Sequence, residues 1–282
     1  MKLLLVRPVG GIANRMRVLE SAYKFSKAAS LKLVVLWERN GNLNAKYSEC
    51  FEPVPNMTVI ELNLHGSNSF AKVKRRLLTI AIDGVVNTLT SFSVTDVAIE
   101  NEIRQHGWGQ GALNSYFDNL VHNHSGIYID TCYEFYTDSS NFQVQIAQSI
   151  QRESQQILLN LSSVTGVHIR RSDNINAIEK SPLDAFVNEI SCTIAINPEA
   201  KFYLSTDSQE VTNILTAMFP GNIITGISVR TRDSKAGIIA ALTDLCCLSM
   251  CREIWGSHDS SFSGRAAKIN NIPLRIILQY AE

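Results

Sequence analysis

Apolar residues near the start of the chain follow first a strand pattern and then a helical one. Lys2–Val6 is rich in leucine and valine, as expected of a strand, and Gly10-Gly11 follows it closely. Apolar residues then recur at helical spacing between Asn14 and Ala29, and Leu31–Trp37 has the composition of a second strand. The chain therefore opens with a strand, a glycine-containing turn, a helix and a strand, an order typical of nucleotide-binding α/β proteins.

The second half repeats the same alternation. Its predicted elements are strand Val164–Ile169, helix Pro182–Asn197, strand Lys201–Ser205, helix Gln209–Met218, strand Asn222–Thr225, helix Gly237–Met250, strand Arg252–Trp255 and helix Ser263–Lys268. Regular β/α alternation predicts a parallel sheet with helices on both faces. A long helix predicted over Asn141–Leu159 ends near Ser162, where we place a domain boundary. The sequence thus predicts an α/β protein with two Rossmann-like domains, residues 1–161 and 162–282.

The stretch between these halves gives weaker patterns. Val59–Leu62 predicts a strand, and Phe70–Val86 predicts a helix. The exposed side of that helix carries a basic cluster formed by Lys72, Lys74, Arg75 and Arg76. Basic clusters on helices are more often solvated than bound to a ligand, so we interpret this one as a solvated face.

Composition and charge restrict the possible functions. Of 282 residues, 45% are hydrophobic and 18% are charged, which is typical of a globular protein with a substantial core. The 26 basic and 26 acidic residues cancel, so no electrostatic footprint for nucleic acid is present. The longest nearly apolar run, Gly237–Met250, is too short for a transmembrane segment. Because the first residues lack a signal-peptide pattern and none of the six cysteines forms a CxxC pair, we predict a cytoplasmic protein with reduced thiols.

Polar residues follow four of the predicted strands directly. These segments are Gly10–Arg17, His168–Asn174, Ser205–Asp207 and Gly256–Ser263. Open α/β sheets bind ligands at the carboxyl ends of their strands, so the four segments are expected to converge on one ligand site. The planar forks of Arg170 and Arg171 suit a diphosphate. Gly256–Ser263 precedes a helix whose N-terminus suits a phosphate, although its serines could equally cap that helix.

Four motifs resemble those of the fucosyltransferase superfamily. In chain order they read VGGIANRMRVL, GVHIRRSDN, KFYLSTDS and ALTDLCCLSMCREIWGSHDSSFS. This superfamily includes the α1,6-fucosyltransferases, the bacterial nodulation fucosyltransferases and the protein O-fucosyltransferases. The resemblance implies a GT-B architecture, in which two Rossmann-like domains with parallel sheets face a central cleft. The N-terminal domain would be on the acceptor side, and the C-terminal domain would bind the nucleotide sugar.

The resemblance also implies an activity. It is the inverting, metal-independent transfer of fucose from GDP-fucose, the donor substrate, to a hydroxyl of a glycan or glycoconjugate, with no other cofactor. The sequence agrees with metal independence, since it contains no Asp-x-Asp pair of the kind that holds a metal and a sugar diphosphate.

Individual residues receive roles from the same resemblance. Arg170 and Arg171 match the arginine pair of the family, one of which holds the β-phosphate, and Asp207 matches an acidic position near the base or ribose. The residues implied to bind the donor are Gly11, Asn14, Arg15, His168, Arg170, Arg171, Asp173, Asp207, Ser260, Ser261 and Phe262. Those expected to be catalytic are Arg170, Arg171, Glu179 and Asn14.

Two of these assignments have alternatives. Glu179 lies near an acidic residue of the α1,6 relatives and is the candidate general base, with Asp233 and Glu20 as other possibilities. Asp173 is expected to orient Arg171 or the backbone. His168 is either a hydrogen-bonded core residue or a phosphate contact.

Two other functions are compatible with the sequence. A catalytically silent GDP-sugar-binding protein would keep the donor site without transferring the sugar. An NAD(P)-dependent oxidoreductase would use the Gly10-Gly11 turn, with Glu38 as the ribose-binding acid, but the third glycine of that fingerprint is missing.

Overall fold

The fold is that of a computed structural model, which describes residues 2–66, 69–106, 113–161, 163–172, 174–226 and 231–279. The chain divides into two compact units, each with its own sheet. The first unit consists of Met1–Ala147 with Arg232–Ile238, and the second consists of Gln148–Thr231 with Ile239–Glu282. Each unit is therefore built from two separate segments of the chain.

The first unit contains a five-stranded parallel sheet. Its strands are β1 (Leu3–Pro8), β2 (Lys32–Arg39), β3 (Met57–Asn63), β4 (Phe92–Thr95) and β5 (Gly126–Thr131), arranged in the order β3-β2-β1-β5-β4. Its helices are α1 (Ile12–Ala28), α2 (Tyr47–Cys50), α3 (Ser69–Leu89), α4 (Asp96–His106) and α5 (Asn114–Asn123). The strand–turn–helix–strand start predicted from the sequence is confirmed.

Strand β1 is central in this sheet and carries few polar residues because both of its faces are covered. Leu4, Leu5 and Val6 are all buried. The turn after β1 requires a glycine, since Gly10 has a left-handed φ of +80° that other residues rarely adopt. This geometry lets the chain pass from the end of β1 directly into α1.

The second unit contains another five-stranded parallel sheet. Its strands are β6 (Thr165–Ile169), β7 (Phe202–Thr206), β8 (Ile223–Thr225), β9 (Glu253–Gly256) and β10 (Leu274–Ile276), arranged in the order β10-β9-β6-β7-β8. Its helices are α6 (Gln148–Ile157), α7 (Ile175–Lys180), α8 (Leu183–Ile196), α9 (Gln209–Met218), most of α10 (Lys235–Ser249) and α11 (Ser261–Asn270). The predicted β/α alternation of this half is confirmed, with β6 fully buried at the centre of the sheet.

The helix predicted over Asn141–Leu159 was too long, because α6 begins only at Gln148. The preceding residues are held beside residues 50–52: Glu52 N donates to Gln145 O, and Ala147 N donates to Cys50 O, both at 2.9 Å. These bonds keep the backbone out of a helix until residue 148. Helix α6 then packs within the second unit, where Ser154 Oγ donates to Thr243 O at 3.2 Å. The division of the chain accordingly falls before α6, whereas the sequence placed it at 161/162.

Among the described residues, no helix combines the length and the apolar character that crossing a lipid bilayer requires.

Gly126 of β5 gives a test of packing in the first sheet. A Cβ at this position would lie 2.5 Å from the carbonyl oxygen of Leu89, so we expect Gly126→Ala to lower the free energy of unfolding by about 1–3 kcal/mol. Gly84→Ala is the matched control, because a Cβ there meets no atom within 4 Å and alanine favours a helix by up to about 1 kcal/mol. Urea unfolding of both variants measures the difference. Equal stability of the two variants would contradict the close approach of Leu89.

Candidate functional site

The carboxyl ends of three adjacent strands bring three of the predicted polar segments together in the second unit. Strand β6 pairs with β9 on one side and with β7 on the other. Just beyond the strand ends, Arg170 N donates to Ser257 Oγ at 3.0 Å, and Arg171 N donates to Asp207 Oδ1 at 2.7 Å. The segment after β6 is thus held from both sides. The fourth polar segment, Gly10–Arg17, lies in the first unit.

Asp207 is the centre of this hydrogen-bond network. Besides accepting from Arg171 N, its carboxylate accepts from Ser172 Oγ at 2.6 Å and forms an ion pair with Arg170 Nη1 at 3.0 Å. Burial raises the pKa of Asp207, but the Ser172 hydroxyl, Arg170 and the backbone N–H groups together hold this pKa below its ordinary value. The ionised carboxylate therefore fixes the backbone of residues 171 and 172 and the direction of Arg170.

The two arginines are used differently. Arg171 Nη1 donates to Arg170 O at 2.9 Å, and its Nη2 donates to Ser181 O at 2.7 Å. Burial lowers the pKa of Arg171, although Asp207 opposes that shift. The side chain of Arg170 is 19% exposed and lies beside Asp207. The geometry thus favours Arg170 as a ligand-binding cation and Arg171 as a residue that fixes the main chain.

His168 is buried under the loop that follows β9. Its ring stacks on Phe262, with centroids 4.9 Å apart and an angle of 29°, and its Nδ1 lies 3.4 Å from Ser260 Oγ. Burial lowers the pKa of His168 to about 4; Arg170 acts in the same direction, and Asp207 opposes it. The imidazole is therefore neutral at neutral pH. Of the two interpretations offered by the sequence, the packing supports a buried, hydrogen-bonded histidine.

Helix α11 begins at the same edge of the sheet. Ser260 is its N-cap residue, but the Ser260 side chain makes no capping hydrogen bond to the helix. Ser261 is the first helical residue and is exposed, and Ser263 Oγ donates back to Ser260 O at 3.3 Å. The Ser260 side chain does not cap the first amides of α11. These amides therefore suit an anion, which favours phosphate binding over the alternative that the serines cap the helix.

Sequence reasoning missed two serines that hold this site together. Ser257 accepts from Arg170 N, and its own N–H donates to His168 O at 3.1 Å. Ser181 Oγ accepts from His258 N at 2.8 Å, while Ser181 O accepts from Arg171. Nothing in the local sequence distinguishes Ser181, which precedes a proline, from an ordinary helix-ending residue. Ser257 was inside the predicted polar segment but received no role.

A second carboxylate, on α10, was also left unassigned. Asp244 accepts from Tyr203 Oη at 2.6 Å and from Ser205 Oγ at 2.9 Å. Tyr203 and Ser205 alternate along β7 and so lie on one face of the sheet. Burial, with Asp244 next in importance, raises the pKa of Tyr203, so the phenol stays a donor. The spacing of Tyr203 and Ser205 was the available signal, but Asp244 lies far away in sequence.

In the first unit, Arg15 is occupied by the turn that it follows. Its side chain is fully buried and lies over Trp37; Nε donates to Gly10 O at 3.1 Å, and Nη1 donates to Glu38 O at 2.6 Å. Burial lowers the pKa of Arg15 to about 10, with Glu38 opposing the shift. Arg15 therefore stabilises the Gly10 turn, and its predicted contact with a donor stays a prediction.

The other predicted residues of this unit lie close by. Gly11 is the N-cap residue of α1, and Asn14 lies in the first turn of that helix. Asn14 Oδ1 is buried and has no hydrogen-bond partner among the described residues. An amide oxygen without a partner is costly unless a ligand or water satisfies it, so Asn14 is the more suitable of the two neighbours for a ligand contact.

The candidate bases have different surroundings. Glu179 is exposed near the end of α7, whereas Glu20 is buried and accepts from Val144 N at 3.0 Å. The main chain of Asp233 is held in the first unit by Asn44, and Asp173 lies outside the described residues. Across the described part of the chain, no group of three His, Cys, Asp or Glu side chains has the geometry of a metal site.

Comparison with known proteins gives matches at the level of structure. No protein-family model matches the chain, and no curated protein is significantly similar to it in sequence. NodZ α-1,6-fucosyltransferase soaked with GDP-fucose matches with a TM-score of 0.58 and 17% identity, over 95% of this chain and 92% of that one. POFUT1 in complex with GDP-fucose matches with a TM-score of 0.55 and 10% identity, over 98% of each chain.

A third similar structure is a mutant of Arabidopsis thaliana FUT1 in complex with GDP. It matches with a TM-score of 0.59 and 12% identity, over 98% of this chain and 70% of that one. The chain has the fold of these fucosyltransferases. The expected α/β fold of GT-B type, with two Rossmann-like parallel sheets, is thereby confirmed. The arrangement of the sheets about a cleft stays a prediction.

The buried His168 makes the stability of the second unit depend on pH. Its pKa of about 4 in the folded state lies below the ordinary value of 6.5, so the unfolded chain binds a proton first as the pH falls. We expect this contribution to be complete above pH 6.5 and to be lost progressively between pH 6.5 and 4, by on the order of 3 kcal/mol in all. Urea unfolding at a series of pH values measures the slope.

The controls separate this residue from general acid effects. His168→Phe keeps an aromatic ring against Phe262 but removes the titration, so its slope over the same pH range should be smaller. Changing the exposed His65 to Gln should leave the slope unchanged. A His168→Phe protein with the wild-type slope would refute a neutral buried imidazole.

Proposed function

We propose that the protein is a glycosyltransferase that transfers fucose from GDP-fucose to a hydroxyl of a glycan or glycoconjugate. The observation that carries this proposal is the grouping of Arg170, Asp207 and the N-terminus of α11 at the carboxyl edge of the second sheet. The fold shared with NodZ and POFUT1, whose structures contain GDP-fucose, supports the choice of donor.

The diphosphate of the donor is the part that this site suits best. Asp207 directs the guanidinium of Arg170, and the amides of the first turn of α11, at Ser261 and Phe262, add partial positive charge. Arg171 acts by holding the carbonyls of Arg170 and Ser181. In this proposal Arg170 binds the phosphates, and Arg171 keeps Arg170 and the loop in position.

The reaction requires this positive charge most when the donor breaks apart. The acceptor oxygen attacks the anomeric carbon from the side opposite the diphosphate, and the bond from that carbon to the β-phosphate oxygen breaks. The hydroxyl proton passes to a base, GDP departs, and the configuration at the anomeric carbon inverts. Negative charge accumulates on the leaving diphosphate, and fixed cations and amides stabilise it without a metal ion.

The proposed base is Glu179, an exposed carboxylate shortly after the arginine pair. Among the alternatives, Glu20 already accepts a backbone hydrogen bond inside the first unit. Asn14, whose buried oxygen has no hydrogen-bond partner among the described residues, and Gly11 are the proposed additional donor contacts. The cytoplasmic location expected from the sequence stays a proposal.

One of the alternative functions is disfavoured by its own residues. An oxidoreductase would need Glu38 to accept hydrogen bonds from a ribose, but Glu38 is buried and accepts from Arg7 Nη1 at 3.3 Å. The silent GDP-sugar-binding protein differs from the enzyme only in turnover. Nucleotide binding and transfer must therefore be measured separately.

Ligand-induced stabilisation tests the donor class. We expect GDP and GDP-fucose to raise the melting temperature by a few degrees at about 100 times their Kd, because ligands of the folded state stabilise it by about 2.7 kcal/mol at that ratio. UDP, NAD⁺ and NADP⁺ are the comparison ligands in the same thermal-shift measurement. A shift with NAD(P) and none with GDP would replace this function by the oxidoreductase.

Arg170→Ala tests the role of the cation in turnover. Losing one charge that stabilises the departing diphosphate should cost about 3 kcal/mol in the barrier, on the order of a hundredfold in kcat/KM for fucose transfer. Arg252→Ala is the matched control. Arg252 lies just before β9, at the amino-terminal ends of the strands, where its Nε donates to Thr165 Oγ1. Turnover by Arg170→Ala near the wild-type level would remove Arg170 from the mechanism.

A further inference from the structure

Helix α3 of the first unit has apolar residues on two opposite faces. Leu78, Ile82 and Val86 recur every four positions, and Ile82 and Val86 pack with Leu5 and Leu36 of the sheet. This face attaches the helix to the first unit. It accounts for only one side of α3. Side chains project all round a helix, so a second row can point away from the sheet.

The second row faces solvent. Val73, Leu77 and Ile80 are 58%, 62% and 60% exposed, and their spacing of four and three residues places them on one face of the helix. At about 100° per residue, that face lies roughly opposite the attached one. Single exposed apolar residues are ordinary, but a continuous row on one helix face is typical of an interaction surface.

Positive charge is concentrated at the N-terminal end of the same helix. The four residues of the basic cluster identified in the sequence, Lys72, Lys74, Arg75 and Arg76, are all exposed. Among the described residues, none of these four side chains has an ion-pair or hydrogen-bond partner. The single acidic residue of α3 is Asp83, so four positive charges against one negative charge leave a net charge of +3 on the helix. This contrasts with the neutral chain as a whole.

We propose that α3 binds the surface of a membrane that contains anionic phospholipids. The helix lies in the plane of the interface, with Val73, Leu77 and Ile80 inserted at the level of the upper acyl chains. Lys72, Lys74 and Arg76 flank the apolar row at about 60–110° and contact the headgroup phosphates, since the long stems of Lys and Arg let their charged ends reach the headgroups while apolar neighbours are buried. Arg75 lies on the opposite side of the helix, the side of Leu78 and Ile82. The helix is not one that could cross a bilayer, so it holds the protein at the surface.

Charge complementarity favours a membrane over a second copy of this chain. Two copies with parallel α3 helices would bring their basic clusters together. Two copies with antiparallel helices paired along this row would place each cluster against residues 77–82 of the other, a segment without an acidic residue. Anionic headgroups supply the negative charge that α3 itself lacks, and each Lys or Arg near such a surface contributes about 1 kcal/mol. A single membrane surface then contacts both the apolar row and the basic residues beside it.

Vesicle flotation of the full chain tests this proposal. We expect the protein to float with vesicles of phosphatidylcholine mixed with phosphatidylglycerol and not with vesicles of phosphatidylcholine alone, and we expect added NaCl to release it. Lys74→Gln with Arg76→Gln, two charges that flank the row, should weaken partitioning about thirtyfold. Leu77→Gln with Ile80→Gln should weaken it about tenfold or more, and folding should be retained because both positions are exposed.

Matched controls remove the same chemistry elsewhere in the first unit. Lys32→Gln with Arg104→Gln removes two exposed charges outside α3, and Val97→Gln removes an exposed apolar side chain of α4. Both should float like the wild type. Failure to bind the mixed vesicles, or equal loss in the controls, would overturn the proposal. So would a dimer in sedimentation equilibrium that Leu77→Gln with Ile80→Gln converts into a monomer, because a second copy would then cover the row.

Discussion

The carboxylate of Asp207 accepts from the backbone after β6 and at the same time pairs with Arg170. This arrangement is possible only because β6 and β7 are adjacent and parallel, so that both end at one edge of the sheet. Ser257 holds the same segment from the side of β9. Two neighbouring strands thus fix the main chain that presents the arginines. A change in strand order would separate these groups whatever the local sequence.

Differences in burial give the charged and polar groups of the second unit different roles. His168 is kept neutral, Arg171 is directed toward two carbonyls, and Arg170 is left partly exposed beside the ionised Asp207. At the same edge, the N-terminus of α11 adds partial positive charge to that of the arginines, while Asp207 and Asp259 carry negative charge. In the proposed function, the donor diphosphate meets groups that the fold already orients, since Asp207 directs Arg170 and Arg171 holds two carbonyls.

Much of the fold was predictable because its signals are local. Strand β6 reads as a short apolar run, and the β/α alternation of the second half follows from spacing alone. The start of α6 and its packing were not predictable, since they depend on residues 50–52 and on Thr243, distant in sequence. The same reason explains the site: Arg170 and Asp207 stood out beside strands, whereas Ser181 has meaning only through His258 and Arg171. The burial of Arg15 against Trp37 was not visible in the sequence either, and its donor contact stays a prediction.

Arg232–Ile238 belongs to the first unit, although the preceding 84 residues do not. The first unit therefore cannot be completed during synthesis until these late residues have been made. A ribosome that has released residue 147 has not yet delivered Lys235, whose ammonium group pairs with Glu49 at 2.9 Å. The first unit therefore has all of its residues only after β6, β7 and β8 have emerged from the ribosome. Domains usually fold one after another as they leave the ribosome, but here neither unit is formed by one continuous segment of the chain. Cutting the gene after residue 147 would leave the N-terminal product without Arg232–Ile238, whereas the C-terminal product would keep both segments of the second unit.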